Sequence, residues 1–339
     1  MSNSASESLV AVTRGPITES VHRGHLAAVD SSGRLIACIG DAGFYTYARS
    51  TAKLLQAIPL LEMGGADQFL LTEAETALVC ASHNGEPKHT ITAASILAKA
   101  GLDVSALDCG PQEPLLKSEA DRLKYEREPA TPVHNNCSGK HAGMLALSRL
   151  MNVSTHQYTR PEHPVQQKML QTVSDMCGIP ASQIRIGVDG CGVPVFAMPL
   201  SSLALGYARL GNPDGLEPAR ADACRRILSA IGHEPFFLAG TDRFDTRLAE
   251  VTGGRIIGKM GAEGVFAATI PSEGVGLAIK LEDGAERALY PAAAEALLQL
   301  GFLSEAEAQL LEPFHRPYVV NRRGENVGRL EPVFRLSHL

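Results

Sequence analysis

Ser50 and Lys53 stand three positions apart in the run "YARSTAKLLQAI", residues 47–58. On a helix, positions i and i+3 are neighbours on one face. Leu54, Ala57 and Leu61 share that face with Ser50. Lys53 is therefore directed toward apolar packing, where an ammonium is costly to bury. Burial favours the neutral amine, and a neutral amine beside a serine hydroxyl can act as its general base. The competing reading is a lysine whose stem lies along an apolar flank and whose head returns to water.

Two later strings bear on that choice. Ser82-His83-Asn84 and Lys259-Met260-Gly261 follow the single S-x-x-K of the chain, in that order. The three together match, in order and character, the S-x-x-K, S-D-N and K-T-G set of serine acyltransferases. Each alone is weak: Ser82 could simply end a helix, and Lys259 could blunt a strand edge. Taken as a set they describe amide cleavage. Ser50 attacks a carbonyl carbon and Lys53 accepts its proton. Ser82, with a second lysine, passes a proton to the departing amine. Asn84 orients the substrate or a lysine amine. Backbone N–H groups near Ser50 and on the strand carrying Gly261 form the oxyanion hole.

Two longer strings are rich in metal-ligand side chains. "HNNCSGKHAGM", residues 134–144, holds a thiol, an amine and two imidazoles within eight positions. "VDGCGVPVFAMPL", residues 188–200, sets Asp189 and Cys191 among glycines. No C-x-x-C occurs, so no structural zinc site of ordinary spacing is present. Ligand chemistry alone points to two thiolates with His141, His134 or Asp189 around zinc. The competing reading makes Cys137 and Cys191 small buried hydrophobes.

"HNNCSGKHAGML" and "GVDGCGVPVFAMPL", with "RSTAK" and "CASHNGE" upstream, resemble the rhizobial-type L-asparaginases, from about residue 8 to near the C-terminus. The resemblance implies a serine β-lactamase-like and glutaminase-like fold and a homodimer. It also implies hydrolysis of L-asparagine to L-aspartate and ammonia. Two Ser–Lys pairs follow from it: Ser50 with Lys53, and Ser82 with Lys259. So does a zinc ion (Zn2+) held by Cys137, Lys140 and Cys191, with Asp189 beside the metal's waters. Arg49, His83, Asn84, His141 and Asp189 would lie with the substrate. A serine glutaminase or another amidohydrolase of the same fold is the nearest alternative. Metal-activated water without a covalent step is a second. A non-catalytic binder of small amino acids is a third.

The elements that must position these residues can be read along the chain. The 339 residues are 45% hydrophobic and 20% charged, a globular balance. A net charge of -6 leaves no footprint for nucleic acid or an anionic membrane. No apolar run is long enough to span a bilayer. The N-terminal "MSNSASES" has no apolar core of a secretory signal and is expected to be disordered. Seven scattered cysteines fit a reducing cytosol. "LVAVTRG", "VHRGHLAAVD" and "RLIACIGD" predict strands, with a hairpin turn at "DSSG". "TEAETALVCAS" opens on a capping box, Thr72 with Glu75. Helices are expected at "HTITAASILAKAG", "GKHAGMLALSRLM", "HPVQQKMLQTVSDMCG" and "PARADACRRILSAIG". Pro59 should end or kink the first helix near Ile58.

Strands return at "GRIIGKMG", "GVFAATIP" and "GVGLAIKLEDGAERALYP", where Asp283-Gly284 predicts a hairpin. A late helix at "AAAEALLQLGF" and a terminal hairpin at "YVVNRRGENVGRL" follow. The fold class is therefore α/β in the α+β sense, resembling serine β-lactamases and penicillin-binding proteins. One antiparallel sheet lobe would comprise residues 1-45 and 253-339, a mostly helical lobe residues 46-252, with a substrate cleft at their junction.

Overall fold

The computed structural model describes residues 5–336. They fall into two compact units. One takes the chain up to Thr51, Ala197–Asn212, and Val251 onward; the other takes Ala52–Phe196 and Pro213–Glu250. The chain is α+β, with the long sheet confined to the first unit.

That sheet is antiparallel and built from both ends of the chain. Its order is Tyr318–Val320, Asn326–Pro332, Glu7–Arg14, Ile17–Asp30, Val275–Leu281, Val265–Ile270, Ile257–Gly261, and Leu35–Ile39 pairs with Ile17–Asp30 off this path. The ends close through Val10 opposite Pro332 and Val12 opposite Leu330. Leu9 to Val12 are buried without interruption, as are Val265 to Ile270. Successive strand residues face opposite sides, so these strands are covered on both faces. The helices Leu200–Gly211 and Glu286–Gln299 pack against the sheet. At Gly276 a Cβ would stand 1.9 Å from Ala204 O and 2.5 Å from Ala208 N. Only glycine lets that helix approach the strand so closely.

The "DSSG" hairpin forms as expected. Asp30 Oδ1 accepts from Ser32 N and Arg34 N, each at 3.0 Å, and Gly33 takes a φ of +91°. Three expectations fail here. The polar N-terminus enters the sheet at Glu7; Ser6 Oγ donates to Glu282 Oε2 at 2.6 Å. The rest of the expected disordered segment, residues 1–4, lies outside the described residues. Asp283-Gly284 joins a strand to a helix rather than two strands. Asp283 Oδ1 accepts from Ala285 N at 3.1 Å, and the helix Glu286–Gln299 begins at once. The alanine-rich helical spacing that follows outweighs the local hairpin signal. The segment Ala197–Asn212 belongs with the sheet, because Tyr45–Tyr47 pairs with Ala197–Pro199 and the next helix seats on the strands.

The second unit is helical. Its helix Lys53–Glu62 is buried at every position from Lys53 to Leu61. A helix apolar on all sides belongs in a core, and it packs against Ser138–Leu150, Pro164–Cys177 and Pro218–His233. Pro59 does not end it: the helix runs on to Glu62, and Pro59 O accepts from Met63 N at 3.2 Å. Packing on all sides offsets the penalty of about 3 kcal/mol for an internal proline. The capping box is reciprocal, with Glu75 N donating to Thr72 Oγ1 at 3.2 Å and Thr72 N to Glu75 Oε2 at 2.7 Å.

Candidate active site

Candidate residues occur in each unit. In the sheet unit, Ser50 lies half-buried in the 3-10 turn Arg49–Ala52. Thr51 pins this turn: its Oγ1 donates to Ala48 O at 2.7 Å, and its carbonyl accepts from the Tyr207 hydroxyl at 2.7 Å. Arg49 has a φ of +50°. A non-glycine residue held there costs about 1–3 kcal/mol, and such strain concentrates at functional sites. The strand Ile257–Gly261 passes so near that a Cβ on Gly261 would stand 3.0 Å from Ala48 O and 3.2 Å from Ser50 N. Lys259 lies on this last strand of the sheet yet is fully buried. It is therefore not a solvent-facing edge lysine. Its Nζ donates to Met260 O at 3.0 Å.

In the helical unit, Lys53 opens its helix and is fully buried. Its Nζ donates to Ala81 O and to Ser82 Oγ, both at 2.7 Å. The amine paired with Ser50 by resemblance is thus also the amine bonded to Ser82. The segment after the helix Glu73–Val79 is held by its backbone from two sides. Ser82 N donates to Leu238 O at 3.1 Å, Asn84 N to Ala239 O at 2.9 Å, and His83 N to Asn136 O at 3.1 Å. This clamp fixes the serine hydroxyl against the amine.

The neighbours of Ser82 are occupied by the protein itself. His83 is fully buried; its Nδ1 accepts from Gly85 N at 3.1 Å, so its Nε2–H faces Ser138 Oγ at 2.9 Å. Burial, then the nearby His89 and Lys53, holds this imidazole well below its ordinary pKa. Neither ring nitrogen is left for a substrate. Asn84 is likewise engaged. Its Nδ2 donates to Thr241 O at 2.8 Å and Glu86 Oε1 at 3.2 Å, and its Oδ1 accepts from Arg243 Nη1 at 2.9 Å. Arg243 escapes the sequence reading because no motif leads to it. It stands 159 residues from Asn84.

A second cluster gathers Cys137, Lys140 and Cys191, all buried. Cys137 precedes the helix Ser138–Leu150, Lys140 lies in its first turn, and Cys191 lies in the turn after Asp189. Lys140 Nζ donates to Cys191 Sγ at 3.1 Å. The hydrogen bond from the Cys137 thiol lowers the Cys191 pKa to about 5, with the Lys140 charge adding to it against burial. The same bond, with burial, pushes the Cys137 thiol up to about 12. Burial opposes the Lys140 ammonium, but Cys191, Cys137 and Asp189 outweigh it and raise its pKa. Asp189 is half-buried, its Oδ2 4.0 Å from Cys191 Sγ. Two sulfurs and an amine in one buried group are a donor set of the zinc type. The amine would have to give up its proton to bind. Among the described residues, no group of three or more His, Cys, Asp or Glu is placed to hold a metal ion.

His141 follows Lys140 and is fully buried. Its Nδ1 lies 2.7 Å from the Tyr158 hydroxyl. Burial lowers its pKa to about 3. His134, the other imidazole of the string, is turned to Thr131 at 3.0 Å and takes no part in this cluster.

No curated protein sequence matches the chain. Among solved structures, Mglu in its native form shares 18% identity over 86% of this chain, with a TM-score of 0.44. Mglu in its L-glutamate binding form shares 18% over 86%, with a TM-score of 0.43. A β-lactamase from Mycobacterium bovis shares 15% over 83% of this chain and 95% of its own length, with a TM-score of 0.41. The present chain spans about three fifths of the Mglu chains, 61% and 60%. The sequence pattern of L-asparaginase II matches residues 10–332, nearly the whole chain, and the protein accordingly belongs to the L-asparaginase II family of amidohydrolases.

Proposed function

We propose that the protein hydrolyses L-asparagine to L-aspartate and ammonia through an acyl-enzyme on Ser50. The observation that carries the reading is the buried Lys53 amine, bonded to two neutral oxygens, Ala81 O and Ser82 Oγ. A neutral amine has two N–H donors. Both are then used, and one lone pair remains to accept the proton of Ser50, three residues earlier in the same helical run. Ser50 Oγ forms a bond to the side-chain carbonyl carbon as its proton passes to Lys53. The carbon–nitrogen bond then breaks, and ammonia leaves with a proton relayed through Ser82, with Lys259 as its second amine. Water next attacks the β-aspartyl ester, a lysine takes the water's proton, and Ser50 is restored. The Ser50 amide, beside Gly261, is suited to the developing oxyanion.

Cys137, Lys140 and Cys191 would hold a zinc ion, with Asp189 next to it. When bound, the metal would supply a Lewis-acidic centre that grips a polar oxygen. X-ray fluorescence of the purified protein tests for it; a preparation active yet free of divalent metal would remove zinc from the reading. A homodimer in the cytoplasm is part of the same proposal.

The deciding experiment assays ammonia release from asparagine and glutamine side by side, with mass spectrometry of acid-quenched enzyme. The expected result is preference for asparagine and an aspartyl adduct on Ser50. The Ser50→Ala variant should fold and lack turnover. An adduct on Ser82 instead, or full activity in Ser50→Ala, would overturn the assignment of the nucleophile. Preference for glutamine would overturn the substrate.

A further inference from the structure

Arg243 is half-buried, and its guanidinium donates to a neutral oxygen, Asn84 Oδ1, at 2.9 Å. Among the described residues no carboxylate is paired with it. A guanidinium keeps its charge in a protein and carries five N–H donors in a planar fork. That fork suits a carboxylate, held through two parallel bonds. The carboxylate of Glu86 is spent elsewhere. Its Oε1 accepts from Thr241 N at 2.9 Å and from Asn84 Nδ2 at 3.2 Å, and its Oε2 accepts from Thr241 Oγ1 at 2.7 Å. The setting of Arg243 is fixed from several sides. Asn84 Nδ2 also donates to Thr241 O at 2.8 Å, and a carbonyl can only accept, so the amide oxygen must face Arg243. Gly240 has a φ of +110°, and a Cβ there would stand 2.5 Å from Glu86 Oε1 and 2.9 Å from Asn84 Nδ2. Only glycine closes the turn this tightly. Arg243 O accepts from Arg247 N at 3.0 Å where the helix Phe244–Val251 begins. The clamp that holds Ser82 and Asn84 against Leu238 O and Ala239 O runs directly into this turn.

We infer that Arg243 determines specificity by binding the α-carboxylate of the amino-acid substrate, with Asn84 as the residue that positions it. An arginine placed only to hold the fold meets protein oxygens with most of its donors or pairs with an acid. This one has a single neutral oxygen, and its charge is left for a ligand. The residue type at position 84 matters for the same reason. An aspartate in place of Asn84 would close an internal ion pair, whereas the amide holds the guanidinium without neutralising it. Asparagine carries its carboxylate a few bonds from the reacting carbon. In the helical unit the Lys53–Ser82 bond lies at one end of the clamped segment and Arg243 at the other. The identity of the ligand rests on the amidohydrolase reading above.

A pair of substrates reads the contact. 3-Aminopropanamide is asparagine without its carboxylate; the reacting amide and the amine remain. Ammonia release from both is measured with the unmutated protein, Arg243→Met and Arg243→Lys. Arg243→Met should lower kcat/KM for asparagine by about 10²-fold, the size of a lost hydrogen bond to a charged group, mainly through KM. For 3-aminopropanamide kcat/KM should not change. Arg243→Lys keeps the charge and loses the fork, so it should fall between the two on asparagine, and it carries the same comparison if Arg243→Met fails to fold. Calorimetric titration with L-aspartate, which needs no turnover, should show weaker binding in the variants. An equal loss on both substrates would make Arg243 a structural group and overturn the inference. Unchanged asparagine kinetics in a folded variant would do the same. No ammonia from asparagine in the unmutated protein would sink the amidohydrolase reading instead. In that case, or where 3-aminopropanamide is cleaved too slowly to measure, the titration decides alone. Aspartate binding weakened in the variants upholds the carboxylate contact, and equal or absent binding overturns it.

Discussion

Two buried polar groups, one in each unit, are built on opposite principles. In the sheet unit, Glu295 is buried on the helix Glu286–Gln299 and every bond it makes comes from a donor. His315 Nε2 stands 2.7 Å from one oxygen, Gln299 Nε2 donates to the other at 2.7 Å, and Arg316 Nη2 adds a longer contact of 3.4 Å. Against the cost of burial, these donors lower its pKa to about 2. In the helical unit, the buried amine of Lys53 meets two neutral oxygens instead. A carboxylate ringed by donors is pinned in one state and serves the fold. An amine given no anion as a direct partner is not held in an ion pair. The difference teaches that burial alone does not mark a functional ionisable group; the character of its partners does.

Substitutions can break this comparison. The largest effect is expected at Lys53. Lys53→Met keeps the length of the side chain and removes the amine. Ammonia release should fall by about 10³-fold, within the range for loss of a general base. Its melting temperature should change little, because the loss of the hydrogen bonds to Ala81 O and Ser82 Oγ is offset by removal of a buried polar amine. Wild-type turnover in this variant would place Lys53 with the structural groups. At Gly261 the effect is intermediate. Gly261→Ala forces a methyl against Ala48 O and the Ser50 amide. The shift should lower kcat by about 10²-fold, comparable to losing one oxyanion donor, with little change in unfolding by urea. Glu295→Gln is the converse case. It should cost on the order of 3 kcal/mol of unfolding free energy by leaving the buried partners of the carboxylate uncompensated. Turnover per folded molecule should be unchanged.

The same group predicts the acid limb of stability. The folded pKa of Glu295 lies below its ordinary 4.5, at about 2. Its contribution is therefore complete above pH 4.5 and is lost as pH falls toward 2. Denaturation curves between those values should lose this slope in Glu295→Gln, and an identical slope would show that the carboxylate is not pinned.

Much of this frame was legible in the residues. The strands at both chain ends carry apolar and β-branched runs, and the capping box of Thr72 and Glu75 is a local signal that the backbone obeys. The Lys53 site was legible in part. Spacing directed the amine into apolar packing, and it is fully buried. Its partner was not, since the bond to Ser82 spans 29 residues and rests on a backbone clamp from Asn136, Leu238 and Ala239. Pro59 and Asp283-Gly284 misled for one reason. Both are strong local signals, and tertiary packing or the next helix overrode each.

The sequence by itself determined which side chains could do chemistry and which stretches would be strand or helix, because residue type and apolar period act over a few neighbours. Only the tertiary structure decided who meets whom. It set Lys53 on Ser82, bonded His83 to Ser138 and Asn84 to Arg243, and left His141 Nε2 without a partner. Hydrogen-bond partners far apart in the chain are chosen by the packing of whole elements, and no periodicity encodes that choice.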